Sequence, residues 1–204
     1  MFPKAAFAPV VAIALTSCQA VVRPTISSAD FIGPEPRVDA EVLLLVSEDF
    51  RTYRETSTDW MDFKKWVFEV GPCAVDAFRH ALGSRFERVH MAAAEATDAV
   101  ASARQEGVVA ILRPEIVKLD GQEPLLFKWG EYSVDLACAI EVLDAQGGVL
   151  YERTYHTMGE QRGSVGFESA GHAAHPEAFR EAMVQLARHA SAELAEFLAS
   201  APEV

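Results

Sequence analysis

The chain has 204 residues, half of them hydrophobic, which suffices for one globular domain with a substantial core. Its 30 acidic residues outnumber its 18 Lys and Arg residues, for a net charge of −12. Such an acidic surface repels phosphate backbones and anionic head groups, which argues against a nucleic-acid partner and against a polybasic membrane patch.

Residues 1–17 have the three parts of a secretory signal peptide. These are a positive start at Lys4, an apolar run from Ala5 to Leu15, and a small-residue exit at Thr16 and Ser17. The apolar run would rise only about 16 Å as a helix, about half of a bilayer core. It is therefore too short to be a spanning anchor.

The tetrapeptide Leu15-Thr16-Ser17-Cys18 resembles the lipobox of bacterial lipoproteins. The resemblance implies that Cys18 is acylated and becomes the first residue of the mature chain. A thiolate is nucleophilic enough to take a diacylglyceryl group, and two or three acyl chains anchor a protein stably. By the same resemblance, Gln19 implies an outer-membrane address facing the periplasm of a Gram-negative host. The alternatives are an ordinary cleaved signal with an incidental cysteine and the apolar N-terminus of a cytosolic protein.

After Cys18 the chain loses periodicity as far as Val38. Prolines and a glycine break the stretch, and we expect residues 18–38 to hold the lipidated cysteine and a flexible tether. A single periplasmic domain would then occupy residues 39–204.

The first half of that domain alternates strands with helical segments. Gly71-Pro72 opens a helix, since proline is tolerated at its first position, and Gly83 ends it. The hydrophobic pattern predicts strands over 38–47, 65–70, 86–91 and 107–119, and an alanine-rich helix over 95–106. Pro114 lies inside the fourth strand and indicates a bulge, or an unpaired side of that strand.

The second half predicts an antiparallel hairpin and a long closing helix. Strands over 132–143 and 149–157 flank a glycine-rich turn, and a helix with one apolar face starts at His175-Pro176. The element order predicts an α/β class, an α+β sandwich with one mixed β-sheet and two main helices packed mostly on one face.

This order resembles a group of small bacterial envelope lipoproteins that includes the curli-secretion pore subunit and the lipoprotein of Pel polysaccharide export. The residues that carry the resemblance are hydrophobic positions and turns, not functional side chains. They are Gly71, Ala77-Phe78, Ala81-Leu82, Phe86, Val89, the strand 108–112, the 142–150 hairpin and the last helix. The resemblance implies no site residues.

Two further cysteines, Cys73 and Cys138, fall within the predicted domain. In an oxidising periplasm they could form a disulfide, which would close a loop of about 65 residues and stabilise the fold by about 4 kcal/mol. Two buried free thiols are the alternative, and the apolar face of the strand around Cys138 favours it.

His172 and His175 are weak candidates for a metal site, because Glu168 and Glu177 lie near them in sequence. The alternative is a histidine pair near a helix start beside solvated carboxylates. The other four histidines fall on different predicted elements, so they suggest no catalytic constellation. We expect no catalytic residues, metal or cofactor.

The segment Glu123–Gly130 is apolar where a polar turn is expected between two strands. Its side chains Leu125, Leu126, Phe127 and Trp129 are candidates for binding a partner or a lipid interface, where Trp is favoured. Alternatively, the segment folds back into the core.

Together these patterns predict a non-catalytic, membrane-anchored lipoprotein that binds or scaffolds components of an envelope assembly or export system. Its partners would be the bilayer, through acylated Cys18, and another envelope protein or a second copy of itself. A carrier of lipid or of a small apolar ligand is the first alternative. A metal-dependent hydrolase is the second.

Overall fold

The computed structural model describes residues 18–33, 37–58, 64–94, 99–122, 129–164 and 170–200. The strands are β1 (Cys18–Val22), β2 (Val38–Val46), β3 (Glu55–Thr58), β4 (Lys64–Phe68), β5 (Phe86–Ala93), β6 (Ala110–Gln122), β7 (Trp129–Asp144) and β8 (Val149–Ser164). The helices are α1 (Glu48–Thr52), α2 (Val70–Arg85), α3 (Ala99–Gln105) and α4 (Ala170–Ser200), with a 3₁₀ turn at Ser28–Phe31.

A mixed five-stranded sheet with the order β5-β2-β6-β7-β8 forms the centre of the fold. The first three of these strands are parallel, and β6, β7 and β8 are antiparallel to one another. Helices α2 and α4 pack against each other and against the same side of the sheet, where Phe179, Met183 and Leu186 are completely buried. The predicted α/β class, with its two main helices on one face, is confirmed.

A second sheet, which the sequence did not predict, has three strands in the order β1-β4-β3. Strand β1 runs parallel to β4, and β3 runs antiparallel to it. The sheet joins the core through Val22, Trp66 and Phe68, all at most 2% exposed. The Ser57 hydroxyl of β3 also donates a hydrogen bond to the Gly121 carbonyl of β6.

Residues 18–33, expected to be part of a flexible tether, are instead part of the fold, and we call them the N-terminal strap. Val22, Ile26 and Phe31 are buried in the main core. Asp30 forms an ion pair with Arg180 of α4, and Arg188 donates to the Asp30 carbonyl. The strap is held because its three apolar side chains leave water and its one buried carboxylate has a cationic partner.

The other face of the five-stranded sheet is covered only in part by the described residues. A small apolar cluster under α3 includes Leu43, Leu45 and Ile111. Further along β6 and β7 the side chains are charged and form cross-strand ion pairs, such as Arg113 with Glu141. This alternation of apolar and charged residues gives the long strands one buried and one largely open face.

Candidate functional site

Cys18 is the first residue of strand β1, and its backbone lies in register with Lys64 of β4. Val22, which is fully buried, lies four positions further along the strand. At about 3.3 Å per residue, the backbone of Cys18 therefore lies about 13 Å along β1 from Val22. The predicted attachment point is part of the domain itself.

Several strand ends meet at the same end of the molecule, and we call this the Cys18 end. His175, near the start of α4, lies at the centre of this end. Its ring centroid is 4.6 Å from that of Trp66 and 4.8 Å from that of Tyr132. The described element ends on this side of the molecule are Cys18, Thr58, Lys64, Gln122, Trp129, Ser164 and Ala170, and β7 and β8 extend four residues beyond the end of β6.

His175 is one of the two weak metal candidates, and the structure places it in an aromatic setting. It is completely buried and also packs against Phe68, while its Nε2 lies 3.4 Å from the Gln122 carbonyl. Edge-to-face ring contacts of this kind stabilise packing, so His175 joins α4 to both sheets. The side chain of His172 lies outside the described residues.

The apolar partner-binding segment is described only at its border. Leu125, Leu126 and Phe127 lie outside the described residues. Trp129 begins β7, where its backbone pairs with Ser164 of β8, and its side chain is likewise outside the described part. The predicted contact role of these residues stays a prediction, while the ends of their segment lie at the Cys18 end.

Cys73 and Cys138 are free and buried, so the disulfide does not form in this structure. The Cys73 thiol lies 3.7 Å from the Pro24 carbonyl of the N-terminal strap. Burial raises the pKa of each thiol to about 12, because an apolar environment disfavours the thiolate. Both thiols are therefore protonated and unreactive near neutral pH.

A groove of about 550 Å³ lies between α1 and strand β6. It opens because β2 pairs with β6 only as far as Leu112, just before Pro114, which cannot donate a backbone hydrogen bond. The predicted unpaired side of this strand is therefore correct. The charged residues of the groove are Asp49, Arg113, Glu115, Glu141 and Glu152.

Four carboxylates against one guanidinium give this groove a net charge of −3, and apolar contacts come from Phe50, Pro114 and Ile116. Such a lining suits a cationic segment of a partner with some apolar character. In the sequence, Pro114 already indicated that one side of β6 is unpaired. The approach of α1 to β6, which completes the groove, depends on the tertiary fold.

His90 lies on the edge strand β5, where both of its ring nitrogens face carboxylates. Nε2 is 2.6 Å from Glu41 and Nδ1 is 2.7 Å from Glu106. Within the part of the chain that the structure describes, no group of three or more His, Cys, Asp or Glu side chains could hold a metal ion. His90 thus links β5, β2 and the residues after α3.

In the described part of the chain, every helix is too short or too polar to cross a bilayer. No family model matches the sequence, and no curated protein matches it.

Solved structures do resemble the fold. A protein of the DUF330 family from Xanthomonas campestris superposes with a TM-score of 0.55 at 12% identity, over 89% of this chain and 98% of its own. A hypothetical protein from Chlamydia trachomatis reaches 0.50 at 15% identity, over 80% of this chain and 100% of its own. A minor lipoprotein from Acinetobacter baumannii reaches 0.43 at 13% identity, over 80% of this chain and 96% of its own. The first two similarities show the fold alone.

Proposed function

We propose that this protein is a lipoprotein of the cell envelope, anchored through acylated Cys18 to the outer membrane and facing the periplasm. The observation that carries the proposal is the Leu15–Cys18 motif, which follows an apolar signal and ends where strand β1 begins. A cleavage just before Cys18 would keep every described residue in the mature chain.

The proposed role is non-catalytic binding or scaffolding within an envelope assembly. The chemistry of the described side chains supports this role. The two thiols are protonated because their pKa values are raised to about 12, and both nitrogens of His90 face carboxylates. A carrier would need space between α4 and the sheet, where Phe179, Met183 and Leu186 already fill the interior.

The acidic groove between α1 and β6 is the surface that we propose for a protein partner. It offers apolar contact and net negative charge, together with the edge of β6 beyond Leu112, which pairs with no strand on that side among the described residues. An extended cationic segment would complement the charge and could pair with the backbone of this edge. Such binding would weaken as salt rises, because the groove is open to solvent.

Two measurements test this function. The variant Cys18→Ser should move the protein from the membrane fraction to the soluble periplasmic fraction, whereas the control Cys73→Ser should stay membrane-bound. Mass spectrometry of the membrane-extracted protein after digestion should show the added diacylglyceryl mass on the peptide that begins with Cys18. An unmodified Cys18 in membrane-bound protein would rule out the anchor.

The binding role is tested by photo-crosslinking in living cells from Glu115 in the groove. A discrete protein adduct at Glu115, and none from Gln146 in the distant β7–β8 turn, is the expected result. Equal labelling at both positions, or none at Glu115, would contradict the groove as the partner surface.

A further inference from the structure

We propose that His90 is a proton-dependent clasp, which holds the residues after α3 against strands β2 and β5 only while its ring carries a second proton. Loss of that proton releases Glu106 and loosens the cover that α3 gives to the sheet. The clasp lies at the β5 edge of the five-stranded sheet. It is independent of the proposed anchor at Cys18 and shares no residue with the acidic groove.

Both nitrogens of the His90 ring lie at hydrogen-bond distance from a carboxylate. Nε2 is 2.6 Å from Oε2 of Glu41 on β2, and Nδ1 is 2.7 Å from Oε2 of Glu106, the residue that follows α3. A neutral imidazole has one N–H group and one lone pair, so it can donate to only one of the two carboxylates. The other oxygen would face the lone pair at a distance that suits only a hydrogen bond. The arrangement therefore requires an imidazolium, which donates from both nitrogens.

The two carboxylates differ in what else holds them. The other oxygen of Glu41, Oε1, lies 3.1 Å from the Arg88 guanidinium, and the Glu41 side chain is 22% exposed. The Glu106 side chain is 49% exposed, and among the described residues His90 is its only charged partner. When the ring loses its second proton, the remaining N–H group stays with Glu41, because an unbonded carboxylate costs less at the more exposed position. Glu106 is then the group that is released.

The charged groups around the ring determine the direction of the pH dependence. Those that face it are Glu41 of β2, Arg88 of β5 and Glu106 after α3, and the next charged residues along the two strands are Asp39 and Glu87. Two facing carboxylates against one guanidinium leave a net charge of −1, which an imidazolium neutralises. The clasp is therefore closed at low pH, and it opens as the pH rises and the ring becomes neutral.

The clasp affects more than one ion pair, because α3 and the residues after it cover an apolar part of the sheet. The buried members of this cluster are Leu43, Leu45, Ala103, Val108, Ile111 and Leu143. Release of Glu106 removes the ion pair on the β5 side of α3, while Arg104 still holds α3 to the carbonyls of the β7–β8 turn. A rise in pH thus makes the apolar cluster more accessible from the β5 edge.

Hydrogen exchange of the Val109 amide in the full-length protein reports on the clasp, because this amide donates to the Glu41 carbonyl over 2.9 Å. Exchange rates, corrected for their intrinsic pH dependence, are compared at about pH 5.5 and about pH 9.5, on both sides of the range near 6.5 in which histidines ordinarily titrate. We expect the protection of Val109 to fall about tenfold or more at the higher pH, which is the usual contribution of a hydrogen bond to a charged group.

Glu106→Gln is the most informative variant, because an amide side chain can donate to a lone pair as well as accept from an N–H group. A neutral ring can then bond to both neighbours, so the clasp stays closed without the second proton. We expect the protection of Val109 in this variant to be high at both pH values. His90→Gln should also remove the pH dependence, whereas the control His189→Gln, at an exposed histidine of α4, should keep the full change.

Three results would overturn the clasp. Equal protection of Val109 at both pH values in the natural chain would show that its exchange does not depend on the ring. A change that persists in Glu106→Gln or in His90→Gln would assign the pH dependence to another group. An equal change at amides in the middle of α2, such as that of Phe78, would mean that the whole fold loosens and that α3 is not released locally.

Discussion

At the far end of the domain, the β7–β8 turn satisfies its own polar groups, whereas the Cys18 end depends on rings contributed by distant parts of the chain. In the turn, the carboxylate of Asp144 accepts hydrogen bonds from the amides of Gln146 and Gly148, and Gly147 has a φ of 85°. At the Cys18 end, His175 packs against Trp66, which lies more than a hundred residues earlier.

The two ends differ in how far apart in sequence their contacts are. A turn formed by five consecutive residues can form early and alone, because its contacts are local. The Cys18 end forms only when both sheets and α4 are together, so the position of strand β1 is tied to global folding. The proposed lipid on Cys18 would thus be attached to a strand that the tertiary structure holds, and substitutions at the two ends should change the stability by different amounts.

The largest effect is expected from removing the ring at the centre of the Cys18 end. Trp66→Ala should lower the free energy of unfolding by about 3–5 kcal/mol, because Trp66 is only 2% exposed and its ring packs against His175 of α4. Phe197→Ala, which removes the half-buried partner of Tyr151 near the far end, should cost about 1–1.5 kcal/mol. Urea unfolding followed by circular dichroism measures both changes. Equal losses of stability would show that the two ends do not differ in their contribution to folding.

Three glycine substitutions test the same contrast at the backbone. A Cβ at Gly159 would lie 1.9 Å from the Ala178 carbonyl oxygen of α4, so Gly159→Ala must push the helix away and should cost about 3 kcal/mol. Gly147→Ala in the far turn meets only the conformational cost of a positive φ, about 1–2 kcal/mol.

The matched control is Gly83→Ala, which lies within α2 because the helix continues to Arg85 and does not end at Gly83 as predicted. An added methyl group there has no neighbour within 4 Å. It should stabilise the protein by about 0.5–1 kcal/mol, since alanine is the better helix former. Thermal unfolding of the three variants should therefore rank Gly83→Ala above Gly147→Ala, and Gly147→Ala above Gly159→Ala. A Gly159→Ala variant as stable as the natural chain would show that α4 does not approach β8 this closely.

The elements that the sequence predicts well are those whose signal is local. The runs around Leu43 and Ile111 and the alternation from Tyr132 to Leu143 are strands in the structure, because each buries one or both faces. Strands β1 and β3 gave no such signal, since their pairing with β4 is set by residues elsewhere in the chain. Helix α1 has only five residues, too few for a periodic pattern.

In the candidate site, too, the local features could be predicted from the sequence and the long-range contacts could not. The motif at Cys18 locates the predicted lipid, but only the register with Lys64 shows that it sits on a paired strand. The strap looked like a tether because Pro24, Ile26 and Phe31 follow no period. Its binding partner, Arg180, lies 150 residues further along the chain, beyond the reach of any pattern.

The part of the strap that follows β1 covers the Cys73 thiol, so its closure can be measured by labelling that thiol. Asp30→Ala removes the ion pair with Arg180 and should lower the free energy of local opening by about 1.5–3 kcal/mol. The population of the open state should therefore rise about tenfold or more. Labelling of Cys73 by a maleimide should accelerate by that factor, while Cys138, buried in the central sheet, should label at the unchanged rate.

The neighbouring change Ser28→Ala, at an exposed position, is the control and should leave both thiols as protected as before. Fast labelling of Cys73 in the natural chain would mean that the strap is open and that the tether interpretation was correct. Parallel acceleration of both thiols would indicate global destabilisation, and then the strap would not open independently of the core.

The smallest effect is expected at the far turn. Arg104 donates to the carbonyls of Ala145 and Gln146 over 2.8 and 3.0 Å, but its side chain is exposed, so Arg104→Ala should cost only about 1 kcal/mol or less. The turn should persist, because its bonds to Asp144 do not involve α3, and hydrogen exchange at the Gly147 amide should stay within a few-fold of the natural rate. Rapid exchange there would mean that α3 holds the turn, and both ends of the domain would then depend on long-range contacts.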